Sequence, residues 1–424
     1  MIYGYLCLIL HLHLPYVKNT NKEEDLAEEW LYEAITESYL PLLNLINRLI
    51  DKNIDFKITI SLSPTLMEMF SDKTLQKRYK KYLKRLISLG EREIIRTELY
   101  PEKNKLAKLY YENFKKSYEL FHNKYKNNIL NGFRKIAHNK NVELITTAAT
   151  HGYLPLIFTE KGKDAQIKIA RKCFYNYFGK YPDGFWLPEC AFKPSFSKLL
   201  AKNNIKYTIL SINGLMFSNP QPINGCYAPI DSGLGVNYFG RDRKTSKLVW
   251  SSKEGYPGDF NYREFYRDIA YDLDYEYLKA YLPQGIRKDT GYKYYKITSK
   301  NENKNIYDYY TAKQKANEHA KDFLKKIKKN CFYLNQVMDK PPIIVSPYDG
   351  ELFGHWWFEG PIWLESLFEQ LDKDFPSLKA ISPEEYLKLY SDNQKAYPAE
   401  SSWGYNGYHE VWLNKENDWI YRHL

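Results

Sequence analysis

The stretch Ile343-Ile-Val-Ser-Pro-Tyr-Asp-Gly-Glu-Leu-Phe-Gly-His-Trp-Trp-Phe-Glu-Gly360 joins a short apolar run to a cluster of reactive side chains. Its first four residues have the composition of a buried strand, and the acids Asp349 and Glu351 follow that strand directly. A carboxyl group held among aromatic rings has a raised pKa, because burial disfavours its charged form. The stretch therefore predicts a strand that delivers a proton donor to a carbohydrate site, since tryptophan faces suit sugar rings.

A second acid stands in Gly184-Phe-Trp-Leu-Pro-Glu-Cys-Ala-Phe192, where Glu189 follows Trp186 by three residues. A structural ion pair is the plain alternative for Glu189, but an unpaired buried charge is costly and a strand end among aromatics is a poor place for one. A glycosidase needs at least two such acids. Glu351 could take the place of Asp349 as the reactive acid. Alternatively, it could orient a neighbouring side chain or cap the next helix.

Short apolar runs alternate with longer segments of helical periodicity along much of the chain. Predicted strands cover residues 5–10, 56–62, 142–148, 185–187, 207–212 and 343–346. Predicted helices cover residues 23–49, 75–89, 104–122, 165–178, 196–203, 309–329, 362–371 and 383–390. Strand followed by helix, repeated in this way, indicates an α/β protein with a parallel sheet.

Polar residues follow several of these strands, which bears on whether the sheet closes. His11 and His13 follow the first run, and His151, Glu189 and Asp349 follow three others. Reactive side chains at the carboxyl ends of several strands are typical of a TIM-type barrel. An open doubly wound sheet would show a glycine-rich phosphate loop, and the sequence has none. We therefore predict a closed or nearly closed barrel.

The alternation fails between about residues 220 and 330, a region rich in tyrosine, glycine and charge. Such long connections are functional or disordered, and the aromatic content argues against disorder. We predict a catalytic barrel over residues 1–360 with insertions at about 215–330. Residues 361–424 are predicted to form a helical C-terminal region.

Composition limits the choice of partner and compartment. Lys and Arg number 62 against 51 Asp and Glu, giving a net charge of +11, but the lysines are scattered over solvated helix faces without a nucleic-acid-binding signature. No apolar run approaches membrane-spanning length. Five dispersed cysteines and an apolar start without a basic leader indicate a reducing compartment. We expect a cytoplasmic protein that binds neither nucleic acid nor membranes.

The pair His11 and His13 fits two chemistries. Metal-dependent barrel hydrolases use such a pair as ligands, whereas sugar-binding barrels use neutral imidazoles as hydrogen-bonding groups. The further histidines, His151, His319, His355 and His409, form no recognisable ligand pattern. We expect no metal and no cofactor, with ordinary structural histidines as the plain alternative.

Aromatic residues make up 17% of the chain, including 40 Tyr and 9 Trp. They fit either core packing or a carbohydrate groove. Trp30, Trp356, Trp403 and Trp412 are candidates for stacking on sugars, although each is also a plausible core residue. Trp357 is favoured as the core member of its pair.

The chain resembles glycoside hydrolase family 57, and within it the branch that contains 1,4-α-glucan branching enzymes. Five stretches carry the resemblance: His11-Leu-His-Leu-Pro-Tyr16, Thr150-His-Gly-Tyr-Leu-Pro155, Trp186-Leu-Pro-Glu-Cys-Ala191, Tyr348-Asp-Gly-Glu-Leu-Phe-Gly-His-Trp-Trp357, and Ser401-Ser-Trp-Gly404 with Val411-Trp-Leu-Asn414. Glu29-Trp-Leu-Tyr-Glu-Ala34 and Phe239-Gly-Arg-Asp242 agree as well. The resemblance covers nearly the whole chain.

The resemblance implies an incomplete seven-stranded (β/α) barrel and a retaining mechanism on α-1,4-glucans, such as amylose, glycogen or a starch-like polymer. It implies that Glu189 is the nucleophile and Asp349 the acid/base. The implied substrate-binding residues are His11, His13, Trp30, His151, Trp186, Tyr271, His355, Trp356, Trp403 and Trp412.

Three departures accompany the resemblance. Branching members carry a tyrosine, thought to hold out water, on a loop that corresponds to Asp231-Ser-Gly-Leu-Gly235, where this chain has none; Tyr227 and Tyr238 are nearest. Ala270-Tyr271 stands where relatives tend to have Gly-Trp. The sequence stops at Arg422-His-Leu424, which we expect to leave the helical region shortened.

Three other functions stay open at this point. Plain α-1,4 hydrolysis, as in an amylase, shares the mechanism and is favoured by the missing loop tyrosine. A weakly active or inactive glycan-binding protein is favoured by the shortened end. A metal-dependent deacetylase or amidohydrolase is the remaining option.

Overall fold

The computed structural model describes residues 2–21, 25–251, 254–298 and 304–422. A nine-stranded sheet forms its centre, in the order β6-β7-β5-β4-β3-β2-β1-β8 with β9 paired to β1. The strands are β1 (Gly4–Leu12), β2 (Ile58–Leu62), β3 (Val142–Thr147), β4 (Gly184–Trp186), β5 (Tyr207–Leu210), β6 (Ile230–Asp231), β7 (Asn237–Gly240), β8 (Ile343–Asp349) and β9 (Leu378–Ala380).

Seven of these strands run parallel around the barrel, namely β1 to β5, β7 and β8. All nine residues of β1 are buried, as expected for a strand covered on both faces. The outer strands β7 and β8 meet at one parallel bridge, Arg241 to Val345, where Asp242 N donates to Val345 O at 2.8 Å. The prediction of an incomplete (β/α)7 barrel is therefore confirmed.

Fifteen α-helices occur in the described part of the chain. They are α1 (Leu26–Ala34), α2 (Leu40–Asp51), α3 (Pro64–Ser71), α4 (Lys73–Arg96), α5 (Pro101–Glu119), α6 (Leu130–Ala137), α7 (Glu160–Phe178), α8 (Phe196–Lys202), α9 (Ile212–Met216), α10 (Arg243–Trp250), α11 (Ile269–Asp272), α12 (Tyr275–Leu278), α13 (Tyr309–Leu334), α14 (Gly360–Asp374) and α15 (Pro383–Leu389). None is long and apolar enough to cross a membrane.

The helix predicted over residues 23–49 consists of α1, a π-helical turn Ile35–Tyr39 and α2. Asp25 caps α1 by accepting a hydrogen bond from Ala27 N at 2.8 Å, which explains the start at Leu26. The first two residues of the predicted helix lie outside the described part. The π-helical turn matters because such turns often mark functional positions.

The region predicted as insertions contains the seventh barrel strand, β7, which the sequence analysis missed. β7 is four residues long, and its neighbour β6 only two, so neither gives a clear apolar run. The predicted division at residue 360 remains a prediction. Beyond it lie α14, α15 and the short strand β9, which pairs with β1.

The turn at residues 231–235 lies at the end of the barrel opposite to the catalytic candidates. It joins β6 to β7 as an antiparallel hairpin in which Asp231 pairs with Asn237, the first residue of β7. The reactive residues instead follow the carboxyl ends of the parallel strands. The expectation that this turn controls access of water to the site is therefore wrong, and its lack of tyrosine gives no support to hydrolysis.

A buried carboxyl group near the amino-terminal end of the barrel makes folding pH-dependent. Glu143 accepts hydrogen bonds from Tyr207 OH at 2.5 Å and Thr59 Oγ1 at 3.2 Å. Burial nevertheless raises its pKa from 4.5 to about 7. Because this pKa is higher in the folded state, the stability that the protonated group provides is lost as the pH rises from 4.5 through 7.

We predict that Glu143→Gln removes this pH dependence. The free energies of unfolding of variant and parent are compared by urea unfolding. As the pH rises from 4.5 to 7.5, the difference between them should change by roughly 3 kcal/mol in favour of the variant, from the size of the pKa shift. The exposed Glu112→Gln is the matched control and should track the parent. Parallel curves for parent and Glu143→Gln would contradict the prediction.

Candidate active site

Glu189 lies in a strained turn directly after β4. Its φ of 59° and that of Cys190, 50°, are both left-handed, and each costs of order 1–3 kcal/mol outside glycine. Strain of this kind persists only where surrounding contacts impose it. Here Trp403 N donates to Glu189 O at 2.9 Å, so a distant segment of the chain holds the turn.

The charge of one candidate acid, Glu189, reaches the other, Asp349. Trp403 Nε1 donates to Glu189 Oε2 at 2.6 Å, and burial raises the pKa of Glu189 although this hydrogen bond opposes the shift. The pKa of Asp349 lies well above its usual value, chiefly through burial and further through the charges of Glu351 and Glu189. Asp349 is thus the better proton donor, and Glu189 the carboxyl group that ionises more readily.

Three histidines form a hydrogen-bonded stack beside these acids. His11 Nε2 and His151 Nε2 are 2.9 Å apart, and His11 Nδ1 lies 3.1 Å from Ser61 Oγ. The rings of His13 and His151 stack with centroids 3.8 Å apart. Burial lowers the pKa of His13 to about 4 and lowers those of His11 and His151 well below the usual value, so all three are neutral at pH 7. Neutral imidazoles both donate to and accept from sugar hydroxyls.

Two tryptophans connect the histidines to Glu189. The ring of Trp186 stacks on His11 at 4.9 Å and meets the ring of Trp403 edge-on at 5.1 Å. Trp186 is fully buried, so its ring supports the floor of the site from beneath. Trp403 is half-buried and presents the upper surface.

Glu351 lies under the site as the third carboxyl group. Its Oε1 accepts hydrogen bonds from His13 N at 3.0 Å and from Tyr39 OH, and Ser38 Oγ donates to its backbone oxygen at 3.3 Å. Burial raises the pKa of Glu351 to about 7. Of the roles considered from sequence, the structure supports the one that orients a neighbour, since Glu351 holds the backbone of His13.

His355 pairs with an acid of the π-helical turn. Its Nδ1 lies 2.6 Å from Glu37 Oε2, and its backbone N donates to Ser38 Oγ at 3.2 Å. Burial would lower the pKa of His355, but the Glu37 carboxylate outweighs it and raises the pKa. The next residue, Trp356, is 53% exposed and stacks on Phe265 at 4.6 Å. Trp357 is buried in the core as predicted.

Trp412 belongs to a segment that docks on the barrel through Tyr153. The two rings stack with centroids 4.5 Å apart, and Tyr153 OH lies 2.5 Å from His409 Nδ1. His409 Nε2 in turn lies 2.8 Å from Glu400 Oε1. This chain of contacts ties the C-terminal segment to the loop that also carries His151.

Trp30 and Tyr271 occupy exposed positions on short helices. The ring of Trp30 on α1 is 42% exposed and that of Tyr271 on α11 is 55% exposed. Burial, followed by the charges of Asp289, Asp268 and Glu33, raises the pKa of Tyr271. Both rings are therefore available for stacking, and their roles remain predictions.

Arg241 is a member of the site that sequence reasoning missed. Its guanidinium lies 5.0 Å from the ring centroid of Trp403, its Nε donates to Ser246 Oγ at 2.7 Å, and its charge opposes the rise in the pKa of Asp349. The stretch Phe239-Gly-Arg-Asp242 contained the signal, but no strand was predicted there to place it.

Among the described residues, no group of three or more His, Cys, Asp or Glu side chains has the arrangement needed to hold a metal ion. His11, His13 and His151 stack face to face, with ring planes within 23° of one another. The two nitrogens of His11 contact Ser61 Oγ and His151 Nε2.

A parallel barrel that carries two carboxyl groups among aromatic rings has the equipment that glycoside hydrolases use. The model of Glycosyl hydrolase family 57 matches residues 7–399, and the chain belongs to this family.

Individual relatives carry two different names. The 1,4-alpha-glucan branching enzyme of Thermococcus kodakarensis is 32% identical over 99% of this chain, which spans 63% of that enzyme's length. The alpha-amylase AmyC from Thermotoga maritima superposes with a TM-score of 0.91 at 41% identity, covering 99% of this chain and 79% of the other. The branching enzyme from Pyrococcus horikoshii superposes with a TM-score of 0.87 at 31% identity, covering 99% and 77%.

We predict that Glu351→Gln shifts the alkaline limb of the pH–activity profile to lower pH. The charge of Glu351 raises the pKa of Asp349, so removing it should make Asp349 lose its proton earlier. Gln retains an oxygen that accepts from His13 N and Tyr39 OH. Glu410→Gln, an exposed carboxyl group, is the control, and an unshifted limb in Glu351→Gln would refute this coupling.

Proposed function

We propose that this protein is a retaining 1,4-α-glucan branching enzyme, which cleaves an α-1,4 bond and transfers the fragment to a 6-hydroxyl. One observation carries the retaining mechanism: the charge of Glu189 raises the pKa of Asp349, a residue 160 positions further along the sequence, across one aromatic site. The branching relatives, similar along 99% of this chain, support the type of transfer.

In the first step, an oxygen of ionised Glu189 attacks the anomeric carbon of the α-1,4-linked glucose. The bond from that carbon to the departing oxygen breaks, and this oxygen takes its electron pair together with the proton of Asp349. Trp403 holds one oxygen of Glu189, which leaves the other for attack. The neutral histidines hydrogen-bond the hydroxyls of the reacting sugar.

In the second step, Asp349 acts as the base. It takes the proton of an acceptor 6-hydroxyl, whose oxygen attacks the anomeric carbon while the bond to Glu189 breaks and restores the carboxylate. Water in place of the acceptor would give hydrolysis. Two inversions at the same carbon retain the α configuration.

The second candidate is an amylase-like α-1,4-glucan hydrolase. The similarity to the Thermotoga maritima protein, whose name is alpha-amylase, favours it. Both candidates use the same covalent intermediate. They differ only in whether a sugar hydroxyl or water accepts the glucan chain.

The polymer that we propose as substrate is an α-1,4-glucan such as amylose, glycogen or a starch-like polymer, in glycogen biosynthesis. A cytoplasmic location is part of this proposal. It is supported by the five cysteines Cys7, Cys173, Cys190, Cys226 and Cys331, all of which are buried free thiols.

We predict that the protein forms α-1,6 linkages when it is incubated with amylose. Debranching of the product should release short linear chains, measured by chain-length chromatography, while few reducing ends appear beforehand. Reducing ends without branches would identify the hydrolase instead, and binding without turnover would identify a glycan-binding protein.

Glu189→Gln should lower turnover at least about 1,000-fold, because an amide cannot form the glycosyl ester. Binding of maltoheptaose should change little, since Gln can still accept the hydrogen bond from Trp403. The exposed Glu416→Gln serves as the control in both the turnover assay and calorimetric titration. Full activity in Glu189→Gln would end the assignment.

A further inference from the structure

A cavity of about 590 Å³ opens beside Trp403 and has no role in the mechanism so far. One wall is α10, the other is the segment 403–407, and the floor follows the carboxyl ends of β5 and β7. Its lining residues include Ser211, Asn213, Arg241, Trp250, Trp403 and Tyr405.

Both aromatic rings and short polar groups line this cavity. Trp250 is 40% and Tyr405 73% exposed, so neither side chain contributes much to the hydrophobic core. Trp403 supplies a third ring. Ser211 and Asn213 contribute a hydroxyl and an amide from the floor. Rings with nearby hydroxyl and amide groups suit a neutral polyhydroxylated chain, with stacking on the ring faces and hydrogen bonds at the edges.

The wall that carries Tyr405 is built in a fixed conformation. Asn406 and Gly407 are both left-handed, with φ of 57° and 82°, and Asn213 Nδ2 donates to Asn406 O at 3.0 Å. A Cβ at Gly407 would lie 2.1 Å from that same nitrogen, so only glycine permits the close approach. The two sides of the cavity are thus tied together at its floor before any ligand arrives.

Arg241 connects the cavity to the reaction centre. Its side chain lines the cavity and its charge acts on Asp349, the proposed acid. The histidines, by contrast, follow β1 and β3, on a different sector of the barrel from the β5 and β7 ends that form the cavity floor. The cavity thus opens at the ends of β5 and β7, and Arg241 is the lining residue whose charge reaches the proposed acid.

We propose that this cavity binds the α-glucan chain on the acid side of the cleaved bond, first the departing chain and then the acceptor chain. The inference rests on the proposed glucan chemistry and adds the place where the acceptor is held. Trp250 and Tyr405 stack on sugar rings, and Asn213 and Arg241 contact their hydroxyls.

Binding is measured in the inert Glu189→Gln background by titrating the full chain with maltoheptaose. Adding Trp250→Ala and Tyr405→Ala together should raise the Kd at least about fivefold. The matched control adds Tyr310→Ala, a tyrosine that is 78% exposed at the start of α13, and should leave the Kd unchanged. A Kd within twofold of the parent in the Trp250 and Tyr405 variant overturns the proposal. Tyr405→Ala alone, at an exposed position, serves if the combined variant loses thermal stability.

Product analysis then assigns the side of the cleaved bond. With Glu189 intact, Trp250→Ala/Tyr405→Ala should lower the ratio of transferred chains to new reducing ends at least about threefold. Weaker binding with an unchanged ratio places the chain on the other side of the bond and overturns the assignment. If the parent releases reducing ends only, branching fails as the function, whereas the titration still decides whether the cavity binds glucan.

Discussion

The pairing of β1 with its two neighbours is the constraint on which the site depends. In this register His11 stands opposite Asp349 on β8 and opposite Ser61 on β2. A slip of one residue would turn the side chains of β1 to the other face of the sheet and separate the first histidine from both partners. The carboxyl ends of parallel strands share one edge, so the curled sheet gathers residues that are remote in sequence.

The carboxyl groups gathered at this edge of the sheet lower the stability of the folded protein. Glu189, Asp349 and Glu351 share a poorly solvated space, and burial raises the pKa of each, so keeping them together costs free energy whenever they ionise. Hydrogen bonds from Trp403, Tyr39 and His13 offset part of that cost. The apolar β1, buried along its whole length, provides the rigid base against which such a cluster is held.

Much of the architecture followed from local patterns in the sequence. Long helices and apolar strands such as β1 and β8 carry strong periodic signals, and the resemblance added the expected number of strands. β7 was missed because four residues in a tyrosine-rich region give no periodic pattern. Without that strand, the sequence could not place Arg241 at the site. The turn at 231–235 was placed at the wrong end because sequence order alone does not reveal a hairpin.

The two acids and the histidines were predicted correctly as neighbours of strand ends, but their mutual contacts were beyond sequence. Nothing in the local pattern indicates that Trp403 donates hydrogen bonds to both the backbone and the carboxyl group of Glu189. These two hydrogen bonds have a consequence for biosynthesis. A nascent chain can pair most of its barrel strands early, yet Glu189, the proposed nucleophile, gains its support only after Trp403, 214 residues further along, has left the ribosome.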